Sequence, residues 1–305
     1  MKKVFILILN YNSRENTMDC LRSLERVVKT NFSLNIVLID NASSENFYLD
    51  KDFKSKIPIK IIKNNFNLGF SEGNNVGLRY SLENGADYVC LLNNDTIVDK
   101  LFLENLFKTG EVNKEYGILV PKIYFAPGFE FHKDRYSQKE FGRVFWYGGG
   151  RMDWKNIYGY HRGVDEVDSG QYDKAEETEM ATGCCMLIKR EILEKAGLFD
   201  NKYFLYYEDS DLSIRTKRKN FKIIYVPSSV IWHKNAGSGG GSGSALQDYY
   251  ITRNRLLFGF RYAPIRSKLA LFRESLSLFL KGRKWQKRGI VDYYLRRLEK
   301  GSYSI

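Results

Sequence analysis

Over its first hundred residues the chain switches repeatedly between unbroken apolar runs and helical spacing. Val4 to Leu9 form a six-residue apolar run, and Met18, Leu21, Leu24 and Val28 follow at intervals that line one helix face. The stretches NIVLIDN, IKIIKN, NNVGLRYSLEN and YVCLLNND continue as strand, strand, helix and strand. Strands that are apolar on both sides, separated by amphipathic helices, predict βαβ units and a mostly parallel sheet covered on both faces. Each predicted strand stops at polar residues: Asn10-Tyr11-Asn12, Asp40-Asn41, Asn64-Asn65 and Asn93-Asn94-Asp95. Open α/β sheets bind ligands beyond the carboxyl ends of their strands, so four polar strand ends in succession predict a site along that edge.

The pattern weakens after Pro121. Residues 121–179 are rich in aromatics, glycine and charge without clear periodicity, which predicts loops and a hairpin around GRVFWYGGGRMDW. MATGCCMLIKREILEKAG then reads as a turn, a short buried strand and a helix ending at Gly197, and FLYYEDSDLSIRTKRKN places acids at the mouth of a further helix. FKIIYVPSSVIWHK follows as extended chain. NAGSGGGSGSALQ has the composition of a flexible linker, natural or introduced.

At 305 residues and 43% hydrophobic the chain can bury a full core. Its formal charge of +12 is not spread evenly: residues 251–305 hold 14 Lys/Arg against 3 Asp/Glu. The body, residues 1–250, is therefore close to neutral and selects its ligand by a local site rather than by a general field, which argues against a nucleic acid partner. This divides the chain into a catalytic body, 1–250, and a basic, helical extension, 251–305. The four cysteines lack metal or disulfide spacing and fit a reducing compartment. The apolar start is too short for a signal peptide, and no apolar run approaches the length of a membrane-spanning helix. With no GxxxxGK[ST], and no glycine cluster between the first strand and its helix, ATPases and nicotinamide enzymes are not supported.

Several residue sets can carry chemistry. Asp95, just past a buried strand, suits a hard divalent cation, which is typically shared between one or two carboxylates, substrate phosphates and water. His233, one of three histidines, ends an apolar run and is a candidate second ligand. Glu208, Asp209 and Asp211 exceed what a helix cap requires and include a candidate general base. Asp40 could accept a hydrogen bond from a base or ribose. The loop Asn65 to Gly77 suits close backbone approach to a diphosphate. Arg253 could reach that diphosphate as the glycine-rich segment closes.

LNYN, LIDNAS, NLGFSEGNNVG, LLNNDT, TGCCMLIKR, FLYYEDSDL, VIWH and YYITRN, in this order over roughly Val4 to Asn254, resemble the family 2 glycosyltransferases, in particular the bacterial rhamnosyltransferase-like branch of cell-surface polysaccharide assembly. The resemblance implies a GT-A fold, Rossmann-like with an acceptor-binding half, and inverting transfer of a sugar from a nucleotide-diphosphate donor, dTDP-rhamnose or a UDP-hexose, to a saccharide or polyprenol-linked saccharide hydroxyl. It assigns Asn10, Tyr11, Asn12, Asp40, Asn67, Gly69, Asn74 and Asn94 to the nucleotide side. Asp95 becomes the last acid of a DXD-type element, meeting Mg²⁺ or Mn²⁺ with help from His233. Asp209 becomes the base, with Glu208 positioning it or the acceptor. Asn93 stands where many relatives carry the first Asp, which shifts weight onto His233. Two other readings share the fold: a nucleotidyltransferase, although NYNSRENT lacks its basic glycine-rich signature, and a non-catalytic sugar-nucleotide-binding protein. In the extension, SKLALFRESLSLFLKGRKWQKRG mixes Leu and Phe with Lys and Arg, as in helices lying on anionic membrane surfaces or in an amphipathic helix packed on the catalytic body with a solvated basic face. The expected location is cytoplasmic, in keeping with the cysteines, and peripheral on the inner face of the cell membrane if the extension is an anchor.

Overall fold

The computed structural model describes residues 1–235 and 243–303. In chain order the strands and helices are β1 (Lys2–Asn10), α1 (Arg14–Leu24), β2 (Phe32–Asp40), β3 (Ile59–Lys63), α2 (Gly69–Glu83), β4 (Tyr88–Leu92), β5 (Thr96–Val98), α3 (Phe102–Val112) and β6 (Tyr116–Phe125). They continue with β7 (Phe145–Tyr147), β8 (Gly150–Asp153), β9 (Tyr158–His161), β10 (Glu176–Glu177), β11 (Cys185–Lys189), α4 (Arg190–Lys195), α5 (Glu208–Arg218) and β12 (Lys222–His233). Helices α6 (Ala245–Tyr262), α7 (Ile265–Lys281) and α8 (Lys284–Tyr294) close the chain.

One large sheet runs β10-β12-β6-β11-β4-β1-β2-β3, and β5 and β7 pair with β12 and β6. Its β3-β2-β1-β4 portion is parallel. Val4 to Ile8 of β1 and Ile36 to Asp40 of β2 are buried, as expected of strands covered on both faces. β11 is antiparallel to both β4 and β6, and β12 returns parallel to β6. This is the α/β sheet with flanking helices expected from the sequence.

The register decides which strand ends meet. Asn10 lies beside Asp40, and Asp40 beside Lys63. FKIIYVPSSVIWHK is one strand whose register slips between Val226 and Val230, where Pro227 cannot donate to a ladder. Beyond that bulge β12 pairs with β5, setting His233 opposite Thr96 and therefore next to Asp95.

The aromatic middle region forms two features rather than one hairpin. β7 joins the large sheet, whereas β8 and β9 make a separate hairpin, 150–161. Met152 and Ile157 of this hairpin region pack with Leu256, Phe258, Leu271 and Ile290 from the last three helices. Helix α6 passes uninterrupted through the expected boundary at residue 250, so the basic extension starts inside an element that is half core. Most of the Gly/Ser stretch lies outside the described residues.

Candidate active site

The polar strand ends form one hydrogen-bonded edge. Asn10 Nδ2 donates to Asp40 Oδ1 (3.2 Å), Thr17 Oγ1 donates to Asn10 Oδ1 (2.8 Å), and Asn94 Nδ2 donates to Thr17 Oγ1 (2.9 Å). The ends of β1, β2 and β4 are thus tied together through α1. The buried Asp40 also accepts from Ser43 Oγ (2.5 Å) and from the Phe47 amide (3.2 Å), which folds the loop after β2 over the edge. Asn12, with a left-handed backbone, accepts from the Ser44 amide (2.8 Å), and the Tyr11 ring is exposed beside it.

At the far end of this edge, His233 Nε2 lies 3.1 Å from Asp95 Oδ1, and both residues are buried. Burial opposes charge on His233, but the sulfur of Cys184 and the Asp95 carboxylate outweigh it and push the imidazole up to about 10. Two adjacent ligands of one divalent ion, each about 2.1 Å from the metal, stand about 3 Å apart. The Asp95–His233 separation matches that spacing, and one carboxylate with one imidazole suits Mn²⁺ at least as well as Mg²⁺. Among the described residues no cluster of three or more His, Cys, Asp or Glu could hold a metal, so the remaining ligands would have to come from substrate and water.

Two sequence expectations for the diphosphate change here. The amides of Phe70 and Ser71, at the start of α2, donate to the Phe204 carbonyl (2.7 and 3.2 Å), so that helix N-terminus holds protein and not phosphate. Gly69 has a φ of +75°, and a Cβ there would sit 2.5 Å from the Phe204 carbonyl oxygen, so close protein packing accounts for the glycine. Asn67 Oδ1 accepts from the Gly69 amide (2.8 Å) and from Asn41 Nδ2 (3.0 Å), and the buried Asn74 donates to the Phe70 carbonyl (2.9 Å). Arg253 is fully buried. Its guanidinium donates to the carbonyls of Lys202 (3.1 Å), Tyr203 (3.0 Å) and Glu299 (2.6 Å), which leaves no face for a diphosphate. The glycine-rich segment that was to close with it lies outside the described residues.

Both corrections lead to the chain before α5. Phe204, Tyr206 and Tyr207 all have left-handed backbones, a conformation costing non-glycine residues roughly 1–3 kcal/mol each. The loop's carbonyls are captured from two sides. Asn75 donates to Phe199 O (3.0 Å), α2 takes Phe204 O, and Asn254 Nδ2 approaches the carbonyls of Tyr203, Leu205 and Tyr206 at 2.7–2.9 Å. Asp211, fully buried, accepts from Arg215 Nε (2.6 Å), Arg261 (2.9 Å) and the Tyr262 hydroxyl (2.7 Å), and so braces α5 instead of facing a substrate.

This loop delivers Glu208 and Asp209. Asp209 is half-buried; its Oδ2 accepts from the Gly183 amide (3.0 Å) and its Oδ1 from the Ser210 amide (2.6 Å). Burial raises its proton affinity above the ordinary aspartate value despite these bonds. Glu208 is buried, its Oε2 has no hydrogen-bond partner among the described residues, and burial together with neighbouring Asp209 raises it well above the usual glutamate range. Asp209 is therefore oriented by Gly183 and Ser210, beside a buried Glu208 whose hold on its own proton is strengthened. Asp209 opens on a cavity of about 190 Å³ lined by Tyr147, Tyr158, Tyr160, His161, Tyr206 and Tyr207, among others.

His161 and the β9 tyrosines were not among the sequence candidates. Burial holds the His161 imidazole down at about 4, so it is neutral; with Nδ1 3.2 Å from the Trp146 carbonyl, Nε2 is an acceptor. The Trp146 ring makes edge contacts with both His161 and His233 (4.4 and 4.5 Å between centroids), linking the cavity to the Asp95 pair. The aromatic density of 145–160 was the available signal, but without periodicity it did not reveal which rings would share a cavity.

Comparison with known proteins gives one consistent result. The family model described as glycosyl transferase family 2 matches residues 5–197. The low-salt glycan biosynthesis hexosyltransferase Agl10 of Haloferax volcanii is 26% identical over 253 residues, 83% of this chain and 74% of that protein. The N-acetylglucosaminyl-diphospho-decaprenol L-rhamnosyltransferase of Mycobacterium tuberculosis is 39% identical over 59 residues, 19% of each chain. Among solved structures, GalNAc-T7 with UDP, GalNAc and Mn²⁺ superposes with a TM-score of 0.59 at 16% identity, covering 97% of this chain, which spans 57% of that one.

Proposed function

The chain belongs to glycosyl transferase family 2, and from that premise we propose an inverting, divalent-cation-dependent transfer of a sugar from a nucleotide-diphosphate donor to a saccharide hydroxyl. The donor edge is Asn10, Tyr11, Asn12, Asp40 and Asn94, ending at Asp95 and His233. The observation that carries the reading is the pairing of two unlike acidic sites: Asp95 at 3.1 Å from His233, and Asp209 opening on a tyrosine-lined cavity.

The acceptor hydroxyl enters the cavity, and Asp209 takes its proton as the oxygen attacks the anomeric carbon. The new C–O bond forms as the bond to the diphosphate breaks on the opposite face, and the configuration inverts. A raised proton affinity suits Asp209 to this task, because a base works best when its pKa lies near the working pH. Asp95 and His233 would hold the divalent ion, whose charge stabilises the leaving diphosphate. His233 would hold the ion through a neutral imidazole, so ion binding there would release the proton His233 otherwise carries. His161 Nε2 and the β9 tyrosines are placed to orient acceptor hydroxyls.

The relatives' names support a rhamnosyl or other hexosyl donor, dTDP-rhamnose among them, and a lipid-linked saccharide as one class of acceptor; a UDP-hexose is the alternative donor. Transfer from a panel of these donors, with Mn²⁺, Mg²⁺ or chelator and with free and polyprenol-linked saccharides, tests the reading. Product formation with inverted anomeric configuration and loss under chelation is expected. Retained configuration would overturn the mechanism, and no transfer from any nucleotide sugar would overturn the activity.

A further inference from the structure

Helix α7 is anchored on one side only. Leu271 and Ser275 are buried against the neighbouring helices, and Ser275 Oγ lies 2.9 Å from the Tyr294 hydroxyl of α8. Its other side carries Ile265, Leu269, Phe272, Leu276, Phe279 and Leu280, each 44–71% exposed. At 3.6 residues per turn these six fall within an arc of about 100° that runs the length of the helix. Such a contiguous apolar stripe is uncommon on a surface with no partner.

The charges around the stripe are ordered too. Lys268 borders it on one side, and Arg266 and Arg273 on the other, by the same helical geometry. The only acid of the helix, Glu274, lies on the far side, where it pairs with both terminal nitrogens of Arg255 (2.7 and 2.9 Å). Beyond the helix, Arg283, Lys284, Lys287 and Arg288 add to the basic surplus of the extension. No helix among the described residues is long and apolar enough to cross a membrane.

We propose that α7 is an interfacial helix: its outer stripe sinks into the surface of an anionic bilayer while Arg266, Lys268 and Arg273 meet lipid headgroups. Apolar side chains between two basic borders are what such a surface complements. A second copy of the chain fits less well, because stacking two stripes would set like-charged borders against each other. The proposal does not depend on the chemistry assigned to the active site, because binding is read with no sugar nucleotide present.

The test is sedimentation of the full chain with phosphatidylcholine vesicles, with and without phosphatidylglycerol, for wild type and for Leu269→Glu/Leu276→Glu. Both positions are exposed, so the variant should keep the wild-type melting temperature and its turnover on a water-soluble acceptor. Wild type is expected to bind the anionic vesicles in a salt-sensitive way, and the double variant to bind them roughly tenfold or more weakly. Absence of wild-type binding, or equal binding by the variant, would overturn the proposal. So would a wild-type dimer that the variant dissociates, since the stripe would then be a self-association face.

Discussion

Asp95 and Asp209 are the aspartates of the two halves of the proposed site, and their surroundings differ. Asp95 faces an imidazole pushed up to about 10, which in the proposed reaction would share a divalent ion with it. Asp209 is held by uncharged donors, two amides and the Ser210 hydroxyl, and burial raises its proton affinity. Environments that separate two acids in this way separate their roles. Their mountings differ as well. Asp95 is set by regular pairing of β5 with β12, whereas Asp209 follows a loop with three left-handed non-glycine residues whose carbonyls are gripped by residues far away in sequence. One site is a product of sheet register, and the other depends on the last helices being in place.

The contrast breaks most sharply at Asp209. Asp209→Asn keeps the side chain's size and an acceptor for one of the two amides but removes the base, and turnover should fall by roughly 10²–10⁴-fold. Steady-state kinetics with saturating donor checks this, and unchanged turnover would remove Asp209 from the mechanism.

Next in size is the loop's support. Arg253→Ala strips a buried guanidinium from three carbonyls, and should destabilise the fold by about 3 kcal/mol or more, with turnover lost together with stability. Chemical denaturation reads the effect. A variant that is stable but blind to donor would restore Arg253 to the diphosphate.

Gly69→Ala puts a methyl group 2.5 Å from the Phe204 carbonyl at a φ that disfavours alanine. It should cost roughly 1–3 kcal/mol and lower turnover more than donor affinity, because it disturbs the loop and not the donor edge.

The smallest effect is a pH slope. Folded Glu208 holds its proton to higher pH than the unfolded chain does, so unfolding releases a proton between the two values. Its contribution to stability is fully present below the ordinary glutamate pKa, and declines as pH rises toward the folded value, by up to about 1.4 kcal/mol per pH unit. Glu208→Gln should flatten that decline in melting curves taken across pH. An unchanged profile would mean Glu208 is already ionised in the folded chain.

The parallel half was legible because its strands are buried on both faces and read as apolar runs, and because their polar ends gather into one hydrogen-bonded edge. Asp95 and His233 could be named as separate candidates. Their meeting at 3.1 Å depends on a bulge that re-registers β12, which periodicity does not encode. The motifs NLGFSEGNNVG and YYITRN were visible as unusual, but glycine, asparagine and arginine grip main-chain carbonyls as readily as phosphate oxygens. Composition does not tell these uses apart; the fully buried Arg253 does. The cavity residues were hidden for a related reason, since β8 and β9 pair outside the main sheet and carry no alternating pattern strong enough to place their tyrosines.

The most direct test is the melting temperature of wild type, Asp95→Ala and Asp209→Asn with Mn²⁺ and each candidate sugar nucleotide, paired with transfer rates on the same samples. Ligands that bind only the folded state raise its apparent stability. Separate roles predict that Asp95→Ala loses the metal-dependent donor shift, whereas Asp209→Asn keeps the full shift and loses transfer. A full donor shift in Asp95→Ala, or wild-type transfer by Asp209→Asn, would contradict the division of labour between the two aspartates.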